Sequence, residues 1–195
     1  MLTENIEEDL SKIVVTDTGP GNTLIDAAMQ KYFNQNYDEE GKVAASGEVV
    51  LDLLENLQSH PFFEQKATKS TGQETFNWQY VEKSINSLKR SISHSDVITT
   101  LSHLTAQSVA TQIKKLNINA TIYLSGGGAL NPFLVATLKK QLPDFVFKKT
   151  DELGIPAEAK EAILFAVLAN QTLAGSPIKI ADLPVVNFGK ISLPK

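Results

Sequence analysis

Two short segments carry residues whose types and spacing suit phosphate chemistry. The first, residues 15–33, reads VTDTGPGNTLIDAAMQKYF. A β-branched run meets Asp17, turns through Gly19, Pro20 and Gly21, and enters an amphipathic helix behind Asn22. The second, residues 123–134, reads YLSGGGALNPFL and repeats the order of strand, glycine turn and helix, with Gly126, Gly127, Gly128 and Asn131 at the turn. A strand that ends in glycines before a helix points several backbone N–H groups one way, and the helix dipole adds to them. Glycine permits positive φ and lets a phosphate approach the backbone. Gly19 and Gly21 serve that purpose in the first turn, where Thr18 and Asn22 add polar groups. The three glycines of the second turn leave a flat surface suited to a purine ring or ribose. No Gly-Lys-Ser/Thr follows either turn, and neither has the G-x-G-x-x-G spacing of dinucleotide sites.

Asp17 stands where the carboxyl end of a strand delivers a side chain to a crevice. Beside a phosphate cradle, such an acid holds Mg²⁺ through water or serves as a general base. Capping of its own turn explains the residue equally well. The triple glycine likewise has two explanations, ligand approach and close strand-to-helix packing. His60, His94 and His103 show no metal-ligand spacing, so no protein-held metal site is expected.

These residues need elements to position them. KIVVTD (12–17) reads as a buried strand, and Asn22 as the cap of a helix that turns Leu24, Ile25, Ala28, Met29, Tyr32 and Phe33 inward. Residues 46–57 read as one helix with Val49, Val50, Leu53, Leu54 and Leu57 in stripe. Residues 59–77 form a long irregular loop, of the kind that is often functional. Phe62, Phe63, Phe76 and Trp78 are expected to anchor it. Residues 78–88 and 96–116 read as helices. The second is either a central helix or a dimer face. ATIYLS (120–125) reads as a buried strand. Residues 131–142 read as a helix capped by Asn131 with Pro132 in the first turn, and DFVFKKT as a third strand. Residues 156–174 read as a helix between Pro156 and Gly175. A short extended piece is expected near VVNFGKISL. Alternating strands and helices imply α/β layers.

The totals agree. The chain has 195 residues, 42% hydrophobic, which fits one globular domain with a core. Its net charge of −4 and the absence of a basic stripe argue against nucleic-acid binding. Cysteine is absent, which removes disulfides and thiolate chemistry. No apolar run spans a bilayer and the acidic N-terminus lacks a signal-peptide core, so a cytoplasmic protein without membrane contact is expected.

Five ordered segments carry a resemblance: DTGPGNTLIDA (17–27), KSTGQETFN (69–77), LTAQSVA (104–110), SGGGALNP (125–132) and TDELGIPAEAKEAILFAVLA (150–169). Together they resemble the anhydro-N-acetylmuramic acid kinases of the sugar kinase and actin superfamily. The resemblance implies an α/β fold: a ribonuclease-H-like (actin-like ATPase) lobe, with a mixed sheet flanked by helices, over residues 13–195. Residues 1–12 would be a loosely ordered N-terminal segment. It implies ATP and Mg²⁺ as cofactors and anhydro-N-acetylmuramic acid as substrate. The implied reaction opens the 1,6-anhydro bridge with water and phosphorylates O6, in recycling of the cell wall.

Residue by residue, the resemblance implies Asp17 as general base and Gly19, Gly21 and Asn22 as a phosphate loop. It implies Gly126, Gly127, Gly128 and Asn131 as the wall beside the nucleoside. Glu161 would face the sugar; without the resemblance it reads as an exposed helix Glu paired with a neighbour. Lys69, Ser70, Thr71 and Gly72 are implied to be structural or to edge the cleft. Family members are about twice as long and carry a first phosphate loop, close to Gly-Thr-Ser-x-Asp-Gly, which has no counterpart before Val15. The chain is therefore expected to be the C-terminal lobe of a two-lobed kinase, inactive without an N-terminal lobe. A separate N-terminal chain and a homodimer are the partners this implies. The competing reading, from another class, is a non-catalytic nucleotide-binding or assembly module.

Overall fold

A computed structural model describes residues 14–65 and 68–175. Residues 16–157 form one compact unit; Val14, Val15 and residues 158–175 belong to another. The expectations for residues 1–12 and for VVNFGKISL lie outside the described residues.

In the larger unit, α1 (Thr23–Phe33), α2 (Lys42–Ser46), α3 (Leu51–Gln58) and α4 (Trp78–Ser87) precede the long helix α5 (His94–Lys115). Ser93 starts α5 by accepting the Asp96 N–H at 3.1 Å. Helix α5 packs against α1, α2, α3 and the later α6 (Pro132–Gln141). Its buried residues run round much of its girth, from Val97 and Leu101 to Thr100, Ser102 and Ala106. It is thus the central helix of the unit. Buried hydroxyls are tolerated because they bond locally: Ser102 Oγ donates to the Ile98 carbonyl at 2.9 Å and Thr100 Oγ1 to that of Asp96 at 2.7 Å. On one side Leu24, Met29, Leu53, Leu57, Val81 and Phe76 complete the main core.

On the other side, β1 (Thr121–Leu124) pairs in parallel with β2 (Val146–Lys149), Thr121 opposite Val146. Helix α6 is the crossover between them, as a parallel pair requires. Ile122, Leu124 and Phe147 pack on a second cluster formed by Ala106 and Ala110 of α5 with Leu134, Leu138 and Leu142. The result is an α/β arrangement with a small parallel sheet flanked by helices; among the described residues no antiparallel strand joins it.

Several expectations need correction. Residues 14–17 form no strand, and Val14 and Val15 are 57% and 79% exposed. Their backbone finds no ladder among the described residues; Asp17 N–H donates only to the Lys69 carbonyl of a loop, at 2.8 Å. The helix expected over 46–57 begins only at Leu51, because α2 ends at Ser46 and a non-helical linker follows. Gly47 turns extended (φ −105°, ψ −178°) where α5 approaches so closely that a Cβ would lie 2.5 Å from the Ser95 carbonyl carbon and 2.6 Å from Thr99 Oγ1. The linker is then held from α5, by Glu48 N–H on Asp96 at 2.7 Å and Val50 N–H on Thr100 Oγ1 at 3.0 Å. Strand β1 is only half-buried, with Tyr123 38% exposed, because helices cover one face. Phe33 is partly exposed where α1 ends at the left-handed Asn34.

The loop over 59–77 is anchored by aromatic rings as expected. Phe62 and Phe76 are buried, with centroids 5.2 Å apart, and Trp78 meets Tyr32 edge-on at 5.3 Å. Tyr80, whose hydroxyl is pushed up in pKa by burial, bonds the Leu57 carbonyl and ties α4 to α3.

In the other unit, α7 (Lys160–Ala174) begins four residues after Pro156 rather than beside it, and ends at Gly175. The described residues include no helix long and apolar enough to cross a membrane.

Candidate active site

The two glycine turns, more than a hundred residues apart in the chain, meet in the folded unit. Asn22 occupies the N-cap position of α1, yet its side chain makes no capping bond, contrary to expectation. It turns instead toward the second turn: a Cβ on Gly128 would lie 3.3 Å from Asn22 Oδ1, and one on Gly127 3.8 Å from Nδ2. The Asn22 backbone is helical (φ −83°, ψ −11°), not extended as a capping side chain needs. Asn131 does cap α6, its Oδ1 accepting the Leu134 N–H at 3.0 Å.

Beside this contact lies a cavity of about 330 Å³ lined by Asn22, Ile25, Asp26, Tyr37, Asp38, Glu40, Gly127, Leu130 and Asn131. Its volume falls within the range of small-molecule pockets. Asp38 is already committed, its carboxylate accepting the N–H groups of Val43 and Ala44 at 2.9 Å each. Burial pushes the carboxyl of Asp26 up from its ordinary value.

The glycines serve different ends. Gly19 is packed: a Cβ would sit 2.7 Å from Ser108 Oγ of α5 and 3.3 Å from Phe63. Gly21, at φ +57°, faces open space, and its carbonyl accepts Thr105 Oγ1 of α5 at 2.6 Å. Gly126, at φ +78°, also faces open space, with its N–H bound to the Ala157 carbonyl at 2.9 Å. Close strand-to-helix packing therefore does not account for Gly126, and Gly127 and Gly128 crowd nothing but the Asn22 side chain and, at 3.5 Å, Leu134.

Asp17 does not cap its own turn. Its Oδ2 accepts the Thr71 N–H at 2.8 Å and the Ser70 hydroxyl at 3.2 Å, across the loop of the aromatic anchors. Thr16 reinforces the junction, its Oγ1 accepting the Lys69 N–H at 3.1 Å. Lys69 in turn donates from Nζ to the Phe62 carbonyl at 2.7 Å and lies 4.0 Å over that ring; burial, then Lys115, lowers its pKa. Reading single segments missed this pairing, because 53 and 54 positions separate Asp17 from its donors. Glu161 sits exposed in the first turn of α7, in the other unit.

Among the described residues no cluster of three His, Asp or Glu side chains forms a metal site. An ion carried on nucleotide phosphates brings oxygen ligands of its own.

The family model for anhydro-N-acetylmuramic acid kinase matches residues 9–186. The chain belongs to the anhydro-N-acetylmuramic acid kinase family. It is 38% identical to the kinase of that name from Pseudoalteromonas atlantica over 95% of this chain and 49% of the relative. It is 41% identical to that of Shewanella sp. strain ANA-3, over 95% of this chain and 48% of the relative, and 40% identical to that of Francisella tularensis subsp. novicida, over 85% and 44%. The chain thus spans about half the length of the curated family members it matches. The matched region takes in both glycine turns, Asp17, the 69–71 loop and Glu161.

Proposed function

We propose that this chain is the ATP-binding, C-terminal lobe of a two-lobed anhydro-N-acetylmuramic acid kinase, with the ribonuclease-H-like fold of the actin superfamily over residues 13–195. The observation that carries the proposal is the meeting of Asn22 with Gly127 and Gly128, beside a cavity that Asn22, Gly127 and Asn131 line. Two backbone surfaces free of side chains and a pocket large enough for a nucleoside suit a nucleotide laid across both turns.

In this proposal Gly21 and Asn22 hold phosphate oxygens, and Gly19 lets the turn sit down on α5. Gly126, Gly127, Gly128 and Asn131 form the nucleoside wall, and Glu161 serves the sugar. ATP brings Mg²⁺ with it, and the ion neutralises charge on the phosphates. Asp17 is the general base. Water attacks the anomeric carbon of anhydro-N-acetylmuramic acid, its proton passes to Asp17, and the bond from that carbon to O6 breaks. The freed O6 attacks the γ-phosphorus and ADP leaves. One carboxylate activating water in this way is the logic of inverting glycosidases.

The other half of the relatives' length, in the same or a separate chain, completes the cleft, and a second copy forms the dimer. Transition-state positioning contributes roughly 7–11 kcal/mol in favourable cases, so half a cleft catalyses poorly. The proposed setting is cytoplasmic cell-wall recycling, with no nucleic acid or membrane engaged.

A coupled ADP-release assay with ATP, Mg²⁺ and anhydro-N-acetylmuramic acid tests this, on the chain alone and mixed with the N-terminal half of the Shewanella relative. Turnover in the mixture, abolished by Asp17→Asn while ATP binding persists, is the expected result. ATP binding without turnover in any mixture would favour a nucleotide-binding module instead.

A further inference from the structure

We propose that Ser70 is a positioning residue for Asp17. The loop at 69–71 grips one carboxylate oxygen and leaves the other, Oδ1, as the atom that takes the proton. The inference rests on Asp17 being the base, and goes beyond it by naming the atom and the residue that aims it.

Both donors fall on the same oxygen: Thr71 N–H at 2.8 Å and Ser70 Oγ at 3.2 Å meet Oδ2. Among the described residues nothing donates to Oδ1. The backbone is fixed beneath the side chain, since Asp17 N–H donates to the Lys69 carbonyl at 2.8 Å and Thr16 Oγ1 accepts the Lys69 N–H at 3.1 Å. Lys69 ties the loop to the core, since it is bound to the carbonyl and ring of Phe62, and Phe62 is only 4% exposed. A chain of contacts therefore runs from the core through Phe62 and Lys69 to one oxygen of Asp17.

A carboxylate on its own rotates about two torsions and presents either oxygen. With Oδ2 occupied twice, rotation is restrained and Oδ1 is the oxygen with open lone pairs. In the proton step, an O–H bond of water breaks and its proton goes to Oδ1. The water oxygen's electron pair forms the new bond to the anomeric carbon, and O6 departs with the pair of the broken bond. A base displaced by about 1 Å from such a path can cost on the order of 100-fold in rate. Ser70 is exposed, so removing its hydroxyl leaves the core intact.

The test compares the unchanged chain, Ser70→Ala and Ser70→Thr. Three-bond NMR couplings to the Asp17 carboxyl carbon report its first side-chain torsion in the chain as it stands. A single rotamer in the unchanged chain and in Ser70→Thr, averaged in Ser70→Ala, is the expected result. A single rotamer in all three, or averaging in the unchanged chain, overturns the proposal. In the reconstituted mixture, Ser70→Ala should lower kcat by about tenfold or more with KM for the sugar altered less than about twofold, and Ser70→Thr should restore it. Unaltered kcat in Ser70→Ala, where Asp17→Asn is inactive, also overturns it. Turnover surviving Asp17→Asn would instead remove Asp17 as the base. It would overturn the catalytic assignment of Oδ1 and leave the rotamers to decide the grip alone.

Discussion

Thr105 Oγ1 on the central helix donates at 2.6 Å to the carbonyl of Gly21, across 84 positions of chain. The bond fastens the left-handed residue of the first glycine turn to the central helix of the unit. Gly21 sits at φ +57°, and its neighbour Asn22 reaches the second turn. The shape of the proposed phosphate loop is thus set from α5.

Replacing Thr105 with Val keeps the shape of the side chain and removes the donor. The Gly21 carbonyl would lose a part-buried bond, a net loss of about 1 kcal/mol. Urea denaturation should show a lowered midpoint with an unchanged slope, and titration calorimetry should show weaker ATP binding.

Gly47→Ala tests the break between α2 and α3. The added methyl would meet backbone and a threonine hydroxyl at 2.5–2.6 Å, with no flexible end to move aside. Overpacking of this kind costs about 1–3 kcal/mol. Thermal denaturation should register the loss, and ATP binding should survive at temperatures where the protein is folded.

Gly127→Val tests the nucleoside wall. Apart from the Asn22 amide, a Cβ there meets nothing, so the fold should tolerate the change. A branched side chain would nonetheless project over the surface assigned to the nucleoside. ATP affinity should fall by about tenfold or more, roughly 1.4 kcal/mol, with circular dichroism unchanged.

His103, on α5, is held below its ordinary pKa of 6.5, first by burial and then by Lys140. A depressed native value means that, between it and 6.5, the unfolded chain binds more protons than the folded one. Stability is therefore complete above about 6.5 and declines as pH falls through the folded value. Urea midpoints measured from neutral to mildly acidic pH should fall in the unchanged protein. His103→Gln should flatten that slope.

Much of the architecture is written locally. The helical stripe Leu24–Ile25–Ala28–Met29 and the Asn131–Pro132 start of α6 each state their element within a few residues, because period and capping are properties of adjacent positions. The two glycine turns and Asp17 were legible for the same reason: turn chemistry is short-ranged. Expectations failed where a distant element intervened. Val49 and Val50 continue a helical stripe, yet Gly47 must yield to the close approach of α5. Val14 and Val15 have the composition of a buried strand, but burial needs a partner, which composition does not supply.

By itself, then, the sequence determined the order of elements, the two glycine turns with their acid and amides, and, through five ordered motifs, the family. Only the tertiary structure decided that the two turns share one cavity, that Asn22 crosses between them rather than capping α1, and that the 69–71 loop holds Asp17 by one oxygen. Side-chain hydrogen bonds act over about 3 Å of space, whatever the separation along the chain. A residue type shows which bonds it can make, and the packing of α5 against both halves of the site selects which ones form.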